Sequence, residues 1–214
     1  MTILLVDMSS PTNEKSDWRR LLRCARSGEG SALGRLLETY RTYLALIARL
    51  QISRRLQGKI DPADVVQDVF LEAHRNFCNF RGTSEGEFVG WLRQILAARL
   101  ANLVRHFLGT KRRDVRLERE MAAAVDHSSE SLDRGLLARQ SSPSERATHG
   151  EQAVLLANAL AQLPDDQQEV LVLRHLEELS FAEVAARMGR TVDSVKGLWT
   201  RGLDRLRRTL GGFS

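Results

Sequence analysis

Apolar residues recur with helical spacing along most of the chain. Trp18, Leu21, Leu22 and Ala25 fall at i, i+3, i+4 and i+7, which predicts a helix stopping near Ser27 and Gly28. A second helix is expected from Ser31 to before Gly58, with Leu33, Leu36, Leu37, Tyr40, Leu44 and Ile47 on one side. The third opens at Asp61-Pro62-Ala63-Asp64: an N-cap, a proline at the first helical position and an acid at the third. Its apolar stripe is Val65, Val66, Val69, Phe70, Ala73 and Phe77.

The pattern breaks over 79–86 and resumes as a long helix from about Glu87 to Leu108. Phe88, Trp91, Leu92, Ile95, Leu96, Leu100, Leu103 and Phe107 leave that helix apolar over most of its circumference, so it should be central to a bundle. Gly109 and Lys111-Arg112-Arg113 are expected to end it. Residues 115–150 are read as polar and aperiodic, a flexible linker with at most transient helix near 132–138.

Beyond the linker the pattern predicts short helices. One covers Val154 to Leu163, and Asp165 to Gln168 has capping-box spacing ahead of Val170, Leu171, Leu173 and Leu176. A second capping box, Ser180-Phe181-Ala182-Glu183, opens a helix with Phe181, Val184, Ala185 and Met188 inward and Gly189 just past its end. The last helix runs to about Leu210 with Val192, Val195, Trp199, Leu203 and Leu206 inward. The expectation is an all-α protein with a tail (1–16), an N-terminal helical bundle (17–114), a linker (115–150) and a C-terminal helix-turn-helix domain (151–214).

Composition supports that class. The 214 residues include only four prolines and nine Phe and Tyr together, too few turn residues and β-formers for a sandwich or barrel. Two cysteines, Cys24 and Cys78, do not make a disulfide framework or a cysteine-based zinc site. No apolar run approaches the roughly 18 residues that span a bilayer. The Thr2–Val6 patch has no basic start and is followed by Asp7, unlike a signal peptide, so the protein is expected in the cytoplasm.

The net charge of +5 is unevenly spread. Residues 17–114 hold 18 cations against 10 acids, and 190–214 hold 6 against 2, while 151–189 hold 2 against 7. A basic block and a basic final helix imply a polyanion touched at two places.

Ser180–Arg208 has the spacing of a helix-turn-helix: a small residue at the crossing (Ala185), a turn glycine (Gly189), and Val195 and Leu198 locking the second helix. That leaves Asp193, Ser194, Lys196, Gly197, Thr200, Arg201 and Arg205 outward, with Arg190 in the turn before them. Such a helix fits the major groove, its first exposed residues at base edges and its basic ones on phosphates. The plainer alternative is a helical hairpin with a solvated arginine face.

These residues carry a resemblance. Leu163-Pro164, Val170-Leu171-Val172-Leu173-Arg174, Ser180 to Ala185, Ser194-Val195-Lys196 and Arg201 to Arg207 look like region 4 of bacterial sigma factors. Asp64-Val65-Val66-Gln67-Asp68-Val69-Phe70-Leu71 resembles the region 2.2 signature, and Phe88 to Ile95 the start of region 2.4. The chain is similar to the extracytoplasmic-function (ECF) group of the sigma-70 family. His74, His106, His127, His149 and His175 show no metal-ligand spacing, and neither a phosphate-binding glycine loop nor a nucleophile elbow appears, so no enzyme activity, cofactor or metal is expected. The resemblance implies a protein that binds core RNA polymerase through the β′ coiled coil and the β flap. It also implies promoter DNA as a partner, and an anti-sigma factor as a further one.

By the same resemblance, Asp64, Gln67, Asp68 and Glu72 are expected to dock on polymerase. Asp64 has a local reason to be acidic, at the third position of a capped helix; Gln67 has none. Phe80, Arg81, Arg93, Gln94, Asn102 and Arg105 are expected to melt and read the minus-ten element. Arg93, Gln94, Ala97 and Arg105 fall within about 120° on a helical wheel, one polar and basic side. Phe80 and Trp91 are residue types more often found in a core than as base platforms, and Trp91 is expected in the core. Arg190, Asp193, Ser194, Lys196, Gly197, Thr200, Arg201 and Arg205 are expected at the minus-thirty-five element. The recognition helix departs from the family where Gly197-Leu198 replaces a common Ser-Arg pair. A regulator that binds its operator without polymerase is the alternative, and a helical adaptor without DNA affinity a third.

Overall fold

The computed structural model describes residues 11–55, 60–107, 115–134 and 149–211. It contains α1 (Pro11–Arg26), α2 (Gly30–Glu38), α3 (Arg41–Arg55), α4 (Pro62–Asn76), α5 (Glu85–Phe107), α6 (Val115–Arg134), α7 (His149–Ala161), α8 (Asp165–Leu171), α9 (Phe181–Met188) and α10 (Val192–Gly211). A 3-10 turn follows α4 and a π-helical turn follows α8, and the described residues contain no strand. The Thr2–Val6 patch, Gly58, the 109–113 stop signal and linker residues 135–148 lie outside the described residues.

Local chemistry sets most boundaries as expected. Asp61 caps α4, its carboxylate accepting from the Ala63 N–H at 2.8 Å. Ser180 and Glu183 close a reciprocal capping box on α9, which ends at Gly189 with φ 62°. The box expected at Asp165 to Gln168 differs. Pro164 occupies the N-cap of α8, so Asp165 stands in the first turn and caps nothing with its side chain.

The single helix expected from Ser31 to before Gly58 is two, α2 and α3, broken at Thr39 and Tyr40. Tyr40 N–H reaches back only to the Leu37 carbonyl, a tightened turn. The Tyr40 ring is fully buried and its hydroxyl donates to Glu85 at 2.9 Å. The apolar spacing continues through the bend, which is why periodicity alone does not show it.

The larger difference is α6, which occupies the first part of the expected linker. Met121, Val125 and Leu132 are buried, each worth roughly 1.5–3 kcal/mol at full burial. Polar residues join them: Tyr43 and Ser129 share a hydrogen bond at 2.8 Å, and Gln51 donates to Ser128 at 2.8 Å. Gln51, Ser128 and Ser129 are the described polar residues that are buried, and all three lie in this one seam between α3 and α6. Their mutual hydrogen bonds remove the desolvation cost that would otherwise expel them.

Helix α5 is central, as expected, packing against α3, α4, α6 and α7. One apolar core runs from the N-terminal helices through α6 and α7 into α8–α10. Arg49 on α3 and Glu169 on α8 form an ion pair across that junction.

Candidate polymerase and nucleic-acid interfaces

Three surfaces collect the residues singled out by sequence. The first is the outer side of α4. Asp64 and Gln67 are exposed and Asp68 and Glu72 half-buried, along a helix whose other side buries Val65, Val66, Val69 and Ala73. Leu71, one turn on from Gln67 and Asp68, is 54% exposed, the most exposed large apolar side chain described. Apolar area ringed by acids and an amide is the make-up of a protein-docking patch. Sequence reading passed over Leu71 as the end of a motif; its position outside the stripe of Val65, Val66, Val69 and Ala73 was the available signal.

The second surface is α10. Arg190, Asp193, Ser194, Lys196, Thr200, Arg201 and Arg205 are all exposed, and Gly197 is half-buried among them. Val195, Leu198, Leu203 and Leu206 are buried beneath. Val192, expected inward, is instead 36% exposed, because it opens the helix ahead of the packed turns. A Cβ at Gly197 would meet the Arg201 guanidinium at 3.4 Å, so the glycine lets that cation lie along the helix. Gly202 serves packing: a Cβ there would stand 3.3 Å from Leu171 of α8. Arg190 is tied to Asp166 at 2.6 Å.

Behind this helix, Trp199 donates its indole N–H to His175 Nε2 at 2.8 Å. Burial, reinforced by Arg174, holds the imidazole below its ordinary pKa and so keeps Nε2 free to accept. The Trp199 ring also meets Phe181 edge-on, 5.6 Å between centroids, fixing α10 on α9.

The third surface divides the residues expected to act on the minus-ten element. Phe80 is 7% exposed and packs among Phe77, Phe88 and Trp91, so the core reading holds for it. Arg93 and Arg105 turn toward α6, Arg93 lying 3.0 Å from Asp126 and Arg105 3.7 Å from Glu118. Ala97, on the same arc, is buried. Two of the four residues on that arc, Arg93 and Arg105, are therefore engaged by α6, a helix the sequence reading did not place, whereas Gln94 on the same arc is exposed.

Gln94 and Asn102 line an open cleft of about 360 Å³ between α4 and α5, shared with Glu72, Asn76, Trp91 and Arg99, and Asn102 Oδ1 accepts from Arg105. Arg81 is exposed on the loop leading to α5.

That loop is held firmly. Ser84 caps α5, and Glu87 Oε2 accepts from the Ser84 hydroxyl at 2.7 Å and from the Thr83 and Ser84 N–H groups at 2.9 Å each. Those bonds, the Ser84 hydroxyl first, lower the Glu87 pKa to about 2. Ser84-Glu85-Gly86-Glu87 is thus a third capping-box sequence, visible in the chain but not picked out from it.

The chain is similar to known sigma factors. The family profile for Sigma-70, region 4, matches residues 153–206. The ECF RNA polymerase sigma factor BldN of Streptomyces coelicolor is 30% identical over 89% of this chain. The chain spans 64% of BldN's length. The ECF RNA polymerase sigma-E factor of Haemophilus influenzae is 28% identical over 82% of this chain and 86% of its own. SigW of Bacillus subtilis, another ECF sigma factor, is 24% identical over 90% of this chain and 96% of its own. Among solved structures, CnrH in complex with the cytosolic domain of CnrY aligns at 26% identity over 92% of this chain and 99% of that one, with a TM-score of 0.36.

Proposed function

We propose that the chain is a member of the ECF group of the sigma-70 family that binds core RNA polymerase and directs it to a restricted set of promoters. The observation that carries this reading is a pair of surfaces in one chain. A recognition helix presents Lys196, Arg201 and Arg205 in the open, and α4 presents Leu71 among Asp64, Gln67 and Asp68. An operator-binding regulator needs the first surface and has no use for the second.

In this reading α10 enters the major groove of the minus-thirty-five element, where Asp193, Ser194 and Lys196 approach base edges and Arg190, Arg201 and Arg205 approach phosphates. Thr200 and the open backbone at Gly197 complete the face. The minus-ten element is met by Gln94 and Asn102 in the α4/α5 cleft and by Arg81 on the loop. Residues 17–114 and 151–214 act as the two promoter-contacting units, the α4 patch takes the β′ coiled coil, and the C-terminal unit takes the β flap. The chain makes and breaks no bond; it works where polymerase works, in the cytoplasm. No described helix is long and apolar enough to cross a membrane. An anti-sigma factor that covers the same surfaces would hold it inactive.

The test is run-off transcription from fragments selected out of genomic DNA by the holoenzyme. Replacing Lys196, Arg201 and Arg205 together by Ala should abolish promoter use while core binding stays intact. Unchanged promoter use in the triple variant refutes the assignment of α10.

A further inference from the structure

The loop that leads into α5 is held by a residue of the first helix. Arg26, in the last turn of α1, donates from Nη2 to the Gly82 carbonyl, 56 residues further along the chain. The same guanidinium lies over the Phe80 ring, 5.8 Å from its centroid. Arg26 thus grips the residues on both sides of Arg81. Arg81 itself is exposed and has no ion pair among the described residues.

The parts of this contact are fixed independently. Phe80 is packed against Phe88 and Trp91, and a Cβ at Gly82 would come within 2.5 Å of the Phe80 ring. Glu87 accepts from the Thr83 and Ser84 N–H groups just beyond. Helix α1 is registered on the same aromatic cluster, since Trp18 meets Phe88 edge-on at 6.4 Å. A cation in the last turn of a helix is favoured wherever its side chain points, which accounts for Arg23 as well as Arg26. That local reason does not call for a bond to a carbonyl on a distant loop.

We propose that Arg26 is a positioning residue: it presets the backbone around Arg81, so that Arg81 meets minus-ten DNA without the loop first having to order. The proposal rests on the reading of the chain as a sigma factor with Arg81 at the minus-ten element. In this role Arg26 touches no DNA and works through Arg81. Preorganisation strengthens binding by removing an ordering cost that the complex would otherwise bear. That cost is greatest at glycine, which has the most backbone freedom to lose, and fixing one such residue is worth about tenfold in an equilibrium constant. Arg26 is exposed, so water replaces its partners when it is removed, and the folded protein should lose little stability.

The experiment compares holoenzymes made with the full chain: wild type, Arg26→Met, Arg81→Ala and the double variant. Open-complex formation is followed by the permanganate reactivity of unpaired thymines on a promoter that the wild-type holoenzyme selects. Arg26→Met should lower it by about tenfold. Core capture and the melting temperature of the protein should not change. In the Arg81→Ala background the same substitution should have almost no further effect, because nothing remains for it to position. Undiminished open complex in Arg26→Met overturns the proposal. An equal further loss in the Arg81→Ala background also overturns it, by making Arg26 an independent contact. A loss that tracks a lower melting temperature or weaker core capture does the same, by making Arg26 a part of the fold. If wild type does not bind core at all, the sigma reading fails and this proposal fails with it.

Discussion

Arg93 of α5 and Asp126 of α6 stand 3.0 Å apart, and the same guanidinium donates to Ser129 Oγ, also at 3.0 Å. Ser129 is in turn bonded to Tyr43 of α3, so Arg93 ties together three helices. Its side chain is 24% exposed, and the charge that a wheel diagram offers to DNA is spent inside the protein.

Removing that charge should therefore act on stability. Arg93→Met keeps the apolar stem and leaves Ser129 and Asp126 without their cation, at a cost of about 1–3 kcal/mol in chemical denaturation. Asp126→Ala should cost less than about 1 kcal/mol, since its carboxylate is largely solvated. An Arg93→Met protein of wild-type stability but impaired promoter opening would return Arg93 to the DNA-binding set.

Gly82 is required by its neighbours. A Cβ there would lie 2.5 Å from Phe80 Cζ and 2.8 Å from Glu87 Cβ. The Phe80 ring is fixed by Phe88 and Trp91, at centroid distances of 5.3 and 5.1 Å. Gly82→Ala should cost about 1–3 kcal/mol in a thermal melt, as overpacking does. An unchanged melting temperature would show that the loop relaxes freely.

The Glu87 cap has a pH signature. A carboxylate whose pKa falls to about 2 on folding contributes stability above its ordinary value, near 4.5, and loses it as pH falls through about 2. Amide exchange at Thr83 and Ser84 should stay protected well below pH 4.5 in wild type and be faster in Glu87→Gln at every pH above about 2. Equal exchange in the two proteins would contradict the cap.

His175 should give the opposite end of the chain its own acid sensitivity. Burial lowers its pKa, so the imidazole contributes stability above about 6.5, and that contribution declines as pH drops and the unfolded chain takes up the proton first. Protonation of Nε2 also removes the acceptor for Trp199. A pH titration of C-terminal stability should show a step below pH 6.5 that His175→Ala abolishes. Persistence of the step in the variant would assign it elsewhere.

Much of the fold is legible in the chain because short-range chemistry governs it. The Asp61 cap, the Ser180–Glu183 box and the αL Gly189 depend on residues three or four apart, and the sequence reading places all three. What it misses depends on distant partners. The spacing Leu117, Met121, Val125, Ser128, Leu132 is helical, but a serine in the stripe reads as solvent-facing until Gln51 supplies its hydrogen bond. Overlooking α6 then divides the reading of α5: Arg93 and Arg105 are drawn toward α6, while Gln94 and Asn102 stay at the open cleft. The recognition helix is the contrary case. Its outward residues follow from a buried stripe that the chain itself displays, and all but the half-buried Gly197 are exposed.

The most direct measurement is capture of this protein by purified core RNA polymerase, wild type beside Asp68→Arg and Leu71→Asp. Core should retain the wild type, and each substitution on the α4 patch should release it without unfolding the protein. Failure of the wild type to bind core, together with tight binding of duplex DNA by the protein alone, would contradict the account and leave a free-standing DNA-binding regulator in its place.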